Sequence, residues 1–191
     1  MRQQQRTKLT MVLGAGALLL VQVGLARAEL ARSARPTSTS GDSDLHLTGG
    51  APSIDTLLDQ FLAALAARDA QAMHRLRVTE KEYREIIIPG TVKPGEPLRE
   101  VSDLNSQFFW SMLNQRSEDV GRGIMKRWGG HTYTRKALRF TRGNRQFAAY
   151  TAHGDVRLQV EDERHATGEL WVGAIAEVAG QYKFISFYSN N

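Results

Sequence analysis

Apolar side chains recur along this chain in two different periods, and the switch falls near residue 130. Ile54, Leu57, Leu58, Phe61, Leu62 and Leu65 return every three or four positions, the spacing of one helix face. Ser53 precedes them as an N-cap, just after Pro52, and the helix is expected to end near Arg68. Asp69 is placed to cap a short second helix carrying Met73 and Leu76. Thr79-Glu80-Lys81-Glu82 has the form of a capping box. It predicts a third helix through Tyr83, Ile86 and Ile87, stopped before Pro89 because a residue preceding proline avoids helical backbone. Residues 89–97 hold three prolines and two glycines and read as a loop. From Ser102 a longer helix is expected, with Leu104, Phe108, Phe109, Met112 and Leu113 as its buried stripe. Ser117 restarts a helix that buries Val120, Ile124 and Trp128 and ends at Gly129-Gly130.

Beyond His131 the period falls to two. Leu138 and Phe140 alternate with polar neighbours, and Arg142-Gly143-Asn144 marks a turn. Segments 147–152 and 156–160 read as strands, with His153-Gly154-Asp155 turning between them. A polar turn at 161–168 leads into a hairpin of 170–178 and 182–188 around Ala179-Gly180. Both faces of that hairpin carry apolar side chains, so it is expected to be central in the sheet or partly covered by another element. Helices first, antiparallel strands second and no internal repeat predict an α+β domain, its helices packed in a sheet of about four strands.

The first 28 residues follow neither period. Arg2, Arg6 and Lys8 precede an apolar run over 9–25, which closes on Ala26-Arg27-Ala28. A basic start, a moderate apolar core and a small-x-small exit read as a secretory signal peptide. The alternative is a retained membrane anchor, but the run is slightly short for a span and Gln22 interrupts it. Residues 29–52, rich in Ser, Thr, Gly and Arg, read as a flexible linker. The expected organisation is therefore signal peptide 1–28, linker 29–52 and one domain over 53–191.

Removing the signal changes the charge. It takes away four of the 25 Lys and Arg residues, leaving the remainder nearly balanced by 20 Asp and Glu. The net charge of +5 for the whole chain falls to about +1, and a general case for nucleic-acid binding goes with it. The absence of cysteine excludes disulfides, thiol catalysis and thiolate metal sites. It also excludes a lipid-modified cysteine at the signal exit, so a periplasmic or secreted location is expected, with no transmembrane domain after cleavage.

The order of elements resembles the nuclear transport factor 2-like superfamily, which includes SnoaL-like cyclases, ketosteroid isomerase and many uncharacterised secreted bacterial domains. The resemblance rests on the opening Ile54-Asp55-Thr56-Leu57-Leu58-Asp59-Gln60-Phe61, the following Arg68-Asp69-Ala70 and the closing Gly180-Gln181-Tyr182-Lys183-Phe184-Ile185-Ser186-Phe187. Glu82-Tyr83-Arg84-Glu85 with Pro89 looks like the secreted members. It implies a curved antiparallel sheet wrapping the first helix into a cone, with room for a small molecule. The isomerase-type members use a carboxylate base with tyrosine and protonated acid donors. No such set stands at the matching positions, so no catalytic residue is assigned.

Five histidines lack metal-ligand spacing, no Gly-rich phosphate loop is present, and neither metal nor cofactor is expected. Tyr83, Trp110, His131, Tyr133, His153 and Trp171 are the candidates to line a ligand cavity. A His131 or His153 pair with a carboxylate is the basis for an alternative isomerase or cyclase reading. From Val120 to Gly154 there is no acidic residue. Arg135, Lys136, Arg139, Arg142 and Arg145 in that stretch form a candidate face for anionic lipid or glycan, unless they pair across the sheet with acidic neighbours. A third reading is a homodimer through the outer sheet face, using Trp171, Ile175 and Phe187. The favoured reading is an exported, non-catalytic domain that binds a small apolar ligand or an anionic envelope component. Mass spectrometry of the exported chain is expected to find Glu29 as the new N-terminus; an intact residue 1–28 segment would show a retained anchor instead.

Overall fold

The computed structural model describes residues 45–188; the expected signal peptide and most of the expected linker lie outside them. Helix α1 (Ile54–Ala66) starts as its sequence dictates, with Ser53 Oγ accepting from the Thr56 N–H at 3.0 Å. It buries Leu57, Leu58, Phe61, Leu62 and Leu65. Asp69 caps α2 (Ala70–Arg75) through the Ala72 N–H at 2.8 Å. The Thr79–Glu82 capping box forms and opens α3 (Glu80–Glu82).

The third helix does not stop before Pro89. It widens into a π-helical turn (Tyr83–Ile87) and continues as α4 (Ile88–Gly90). Proline stands in the first positions of that last segment, where the missing N–H costs little. Nor does Ser117 restart a helix: α5 (Asp103–Trp128) runs unbroken for 26 residues and is capped by Ser102 and Gly129.

In its C-terminal half α5 packs Val120, Ile124 and Trp128 inward as expected, but in its N-terminal half the expected stripe faces outward. Ser106, Ser117, Gly121 and Ile124 face the domain, while Leu104 is 78% exposed and Phe108, Phe109 and Met112 are at least half exposed. At about 100° per residue, Leu104, Phe108 and Met112 fall on roughly the far side of the helix from Ser117 and Ile124. The reason is distance. A Cβ added to Gly121 would stand 3.2 Å from Met73 Cε and 3.4 Å from Phe187 Cδ2. Ser117 Oγ accepts from the Phe187 N–H at 2.7 Å inside the protein. A helix this close to a strand can present only small side chains to it.

The sheet has five antiparallel strands rather than four: β1 (Tyr133–Phe140), β2 (Asn144–Gln146), β3 (Thr151–Asp162), β4 (Thr167–Val178) and β5 (Gln181–Phe187). Their order is β1-β3-β4-β5, with short β2 also paired to β3. The α+β expectation holds. The expected turn at 153–155 is instead a bulge within β3, where the register shifts between His153 and Val156 and Asp155 has φ of 51°. The 147–152 segment is correspondingly not one strand; the chain turns there, with the Phe147 N–H bonded to Tyr150 O at 2.8 Å. The β4–β5 hairpin forms as expected. Ala179 and Gly180 both have positive φ, the pattern that matches strand twist in a two-residue turn.

Two apolar clusters fill the fold. In the first, α1 lies against the sheet and Phe61 meets Phe184 edge to face at 5.4 Å. Leu57, Leu58, Phe61 and Leu65 are fully buried there with Leu158, Val172 and Ile175. The second covers the other side of the β4–β5 hairpin, as its two apolar faces required: Ile86 and Ile87 join Val78, Tyr150, Ala176 and Val178.

Leu47 also belongs to that second cluster and is fully buried. Ala51 exchanges two backbone hydrogen bonds with Tyr182, at 3.0 and 2.9 Å. The expected boundary at Ser53 is therefore too late. Two small apolar anchors in a polar stretch suffice to dock it on the edge of β5.

The carboxylate of Glu82 ties this second layer together. It accepts from the Thr48 and Thr79 N–H groups at 2.7 Å each, and Lys183 Nζ lies 3.0 Å from both its oxygens. Glu82 and Lys183 are 5% and 3% exposed. A buried ion pair survives only when its remaining hydrogen-bonding capacity is also met, and here the backbone meets it. Leu47→Ala is expected to lower unfolding free energy by about 3 kcal/mol, whereas Leu104→Ala changes it by less than about 0.5 kcal/mol. Chemical denaturation of the two variants would measure this; equal losses would refute the assignment of Leu47 to the core.

Candidate ligand groove

The inner face of α1 is packed against the sheet in the first cluster, and a small hollow of about 270 Å³ opens beside it against β1. The larger hollows lie elsewhere. The largest of those described, about 530 Å³, is a polar dish lined by Glu80, Lys81, Arg84, Glu85, Asp103 and Ser106. Its charges pair with one another, Arg84 reaching Asp103 at 2.8 Å and Glu80 at 3.6 Å.

The second, about 420 Å³, is different in kind. It lies where α2 and the C-terminal half of α5 diverge above β5. Met73, Met125, Phe187, Ala70 and Gly121 give it an apolar floor. Two features of the chain create it. Residues 76–78 are held alongside β5 by the Phe184 N–H to Leu76 O bond and the Val78 N–H to Phe184 O bond, which fixes α2. Gly121 lets α5 sit close enough for Met73 and Phe187 to form a common surface.

Charged groups ring this floor. At one end Glu118 Oε1 lies 2.8 Å from His74 Nδ1 and 3.3 Å from Arg77 Nη1. Arg77 is 2% exposed, with its guanidinium between the rings of Trp110 and Phe187. Its Nε and Nη2 have no hydrogen-bond partner among the described residues. Desolvation pushes the Arg77 pKa down and the Glu118 charge opposes that. At the other end stand Arg68 and Lys126, both exposed.

None of the six candidate cavity residues lines this groove; Tyr83 meets Trp110 and His131 meets Tyr133, but the six do not converge on one place. Tyr83 and Trp110 pack ring to ring at 5.5 Å beside the second cluster. Burial pushes the Tyr83 hydroxyl pKa up, and the nearby Tyr150 adds to it. Tyr133 donates to Trp128 O at 2.9 Å and borders a smaller hollow with Asp59 and Arg135. His131 Nδ1 lies 2.8 Å from Glu163 Oε1. His131, Asp162 and Glu163 could approach a single cation, but the trio is occupied with itself and its loop. Glu163 Oε2 takes the Thr132 N–H, and Asp162 Oδ1 takes those of Arg164 and Ala166. His153 is buried in β3, not exposed in a turn, and is bonded to Asn144 at 2.9 Å and Glu177 at 2.8 Å. Trp171 carries the Arg157 guanidinium on its ring and donates to Glu169.

The basic face is largely neutralised. Arg135 pairs with Asp55 at 2.6 Å, Lys136 with Glu161 at 3.1 Å, Arg139 with Glu169 at 3.0 Å and Arg142 with Asp155 at 2.7 Å. Arg145 lies over the Phe147 ring. Acids of α1, β3 and β4 meet these cations, so four of the five already have partners. The expected dimer surface fails for a simpler reason: Ile175 and Phe187 are 0% and 2% exposed, inside the first cluster.

The groove residues were missed because their pattern is spread over α2, α5, β5 and the segments flanking α2. Of its methionines only Met73 was singled out, as a helix residue, and no local signal marks Arg77. No protein-family model, curated protein or solved structure matches this chain.

Proposed function

We propose that this chain is an exported, non-catalytic domain that binds a small apolar molecule in the groove between α2 and α5. The observation that carries the reading is a mostly apolar hollow of about 420 Å³ bordered by half-buried Met125, with Met73 and Phe187 buried beneath it. Small-molecule sites are typically concave, mostly apolar and of this size. Methionine suits such a floor because its flexible thioether adapts to a ligand's shape. Export rests on the basic, apolar and small-x-small order of residues 1–28. The α+β order supports the nuclear transport factor 2-like reading, although the groove lies outside the cone. No helix among the described residues is long and apolar enough to cross a membrane.

The alternative of acid–base catalysis has a His–carboxylate pair to offer in His74 and Glu118. Their side chains are 56% and 39% exposed, and Glu118 is shared with Arg77. A hydrated pair lacks the burial that tunes such groups for proton transfer, so binding is the better supported reading. An anionic envelope partner loses support with the pairing of Arg135, Lys136, Arg139 and Arg142. Titration with a neutral naphthylamine fluorophore is expected to saturate at one site, and Met125→Gln to weaken it about tenfold by wetting the floor. Absence of saturable binding, or binding indifferent to Met125→Gln, would overturn the groove reading.

A second reading, self-association, is favoured by the outer face of α5. Leu104, Phe108, Phe109 and Met112, with Leu98, expose on the order of 500 Å² of side chain. A two-fold antiparallel pairing about Phe108 would set Leu104 of one copy on Met112 of the other. It would bury roughly 1,000 Å², the lower bound for a specific interface. Sedimentation of the exported chain is expected to show a dimer at micromolar concentration, which Phe108→Asp dissociates without lowering the melting temperature. A monomeric wild type would refute it.

A further inference from the structure

The two ends of the groove differ in charge, and that difference bears on what enters it. Five basic or imidazole side chains line it, Arg68, His74, Arg77, Arg122 and Lys126, against the single acid Glu118. At the Glu118 end, His74 and Arg77 share that carboxylate. Arg122, one turn beyond Glu118 on α5, pairs with Asp119. At the far end Arg68 and Lys126 have no acidic partner among the described residues. Arg68 is held in place by the backbone. Its φ of 54° ends α1, and its Cγ and Nε would lie 3.3 and 2.6 Å from side chains added at Gly129 and Gly130. Lys126 lines the same hollow as Met125, on the stripe of α5 that Glu118 and Arg122 also occupy at four-residue spacing. One end of the groove is therefore charge-balanced, the other carries two uncompensated cations, and the surface between them is apolar.

We infer that the ligand is an anionic amphiphile of the long-chain carboxylate class, its head at Arg68 and Lys126 and its chain lying on Met125, Met73 and Phe187. This rests on the groove reading above and adds the head group and the orientation. The orientation follows from the charge difference: Arg77 already faces the Glu118 carboxylate, whereas Arg68 and Lys126 have no acidic partner among the described residues. The mouth is exposed, so the cations contribute a screened attraction. The apolar floor supplies the larger part of the affinity, and the cations select among ligands of equal chain length.

The test compares dodecanoate with dodecanol, which share a chain and differ in the charged head, by isothermal titration of the exported chain at low and high salt. The acid is expected to bind about tenfold more tightly at low salt, with the advantage shrinking as salt rises. Lys126→Gln is expected to bring the acid close to the alcohol, and Lys126→Arg to restore the preference. Lys126 is exposed on a long helix, so neither change threatens the fold. If acid and alcohol bind equally in the wild type, or Lys126→Gln leaves their ratio intact, the head-group inference is overturned and the groove stands. If neither binds, the groove reading falls and this inference with it.

Discussion

Helix α5 lies so close to β5 that no large side chain fits between them, and much of the fold's surface follows from that spacing. Ser117 reaches the backbone of Phe187, and Gly121 admits Met73 and Phe187 to within contact distance. With small residues spent on the inside, the bulky ones of the same helix are left facing outward. Further along, α5 and α2 part above β5, and the surfaces they leave uncovered become the groove. The apolar floor and the exposed stripe are two results of one close approach.

Local signals in the chain were a good guide to local structure. Ser53, Asp69, Thr79 with Glu82, and Ala179-Gly180 each act within a few residues of themselves, and each does what its chemistry implies. The failures concern which surface meets which. Hydrophobic period locates an amphipathic stripe but assumes that the stripe is the inner face. For α5 that assumption breaks, because contact distance rather than apolarity chose Ser106, Ser117 and Gly121 for the interior. Leu47 is a related case: one apolar residue in a polar segment has no period at all, yet finds a place beside Ile86 and Val178. The groove was illegible for the same reason, since its floor is assembled from three elements that only tertiary packing brings together.

Charge behaves similarly. Read along the chain, the stretch from Val120 to Gly154 is basic without relief. Folded, β1 lies beside β3, and the acids of β3, β4 and α1 meet its cations one by one. What distinguishes a cation here is not its place in a basic run but whether the sheet supplies a partner. Arg68 and Lys126 stand at helix ends, beyond the reach of that pairing.

The Glu82 carboxylate has a consequence for the order in which the molecule can assemble. Its partners are Thr48, Thr79 and Lys183, the last of them 101 residues further along. Until β5 arrives, the second layer would have to enclose a carboxylate with no counter-charge, and a lone ion in an apolar interior is strongly disfavoured. Closing a loop of that length is also entropically slow. The chain therefore cannot complete its second layer during synthesis until its last described strand has emerged.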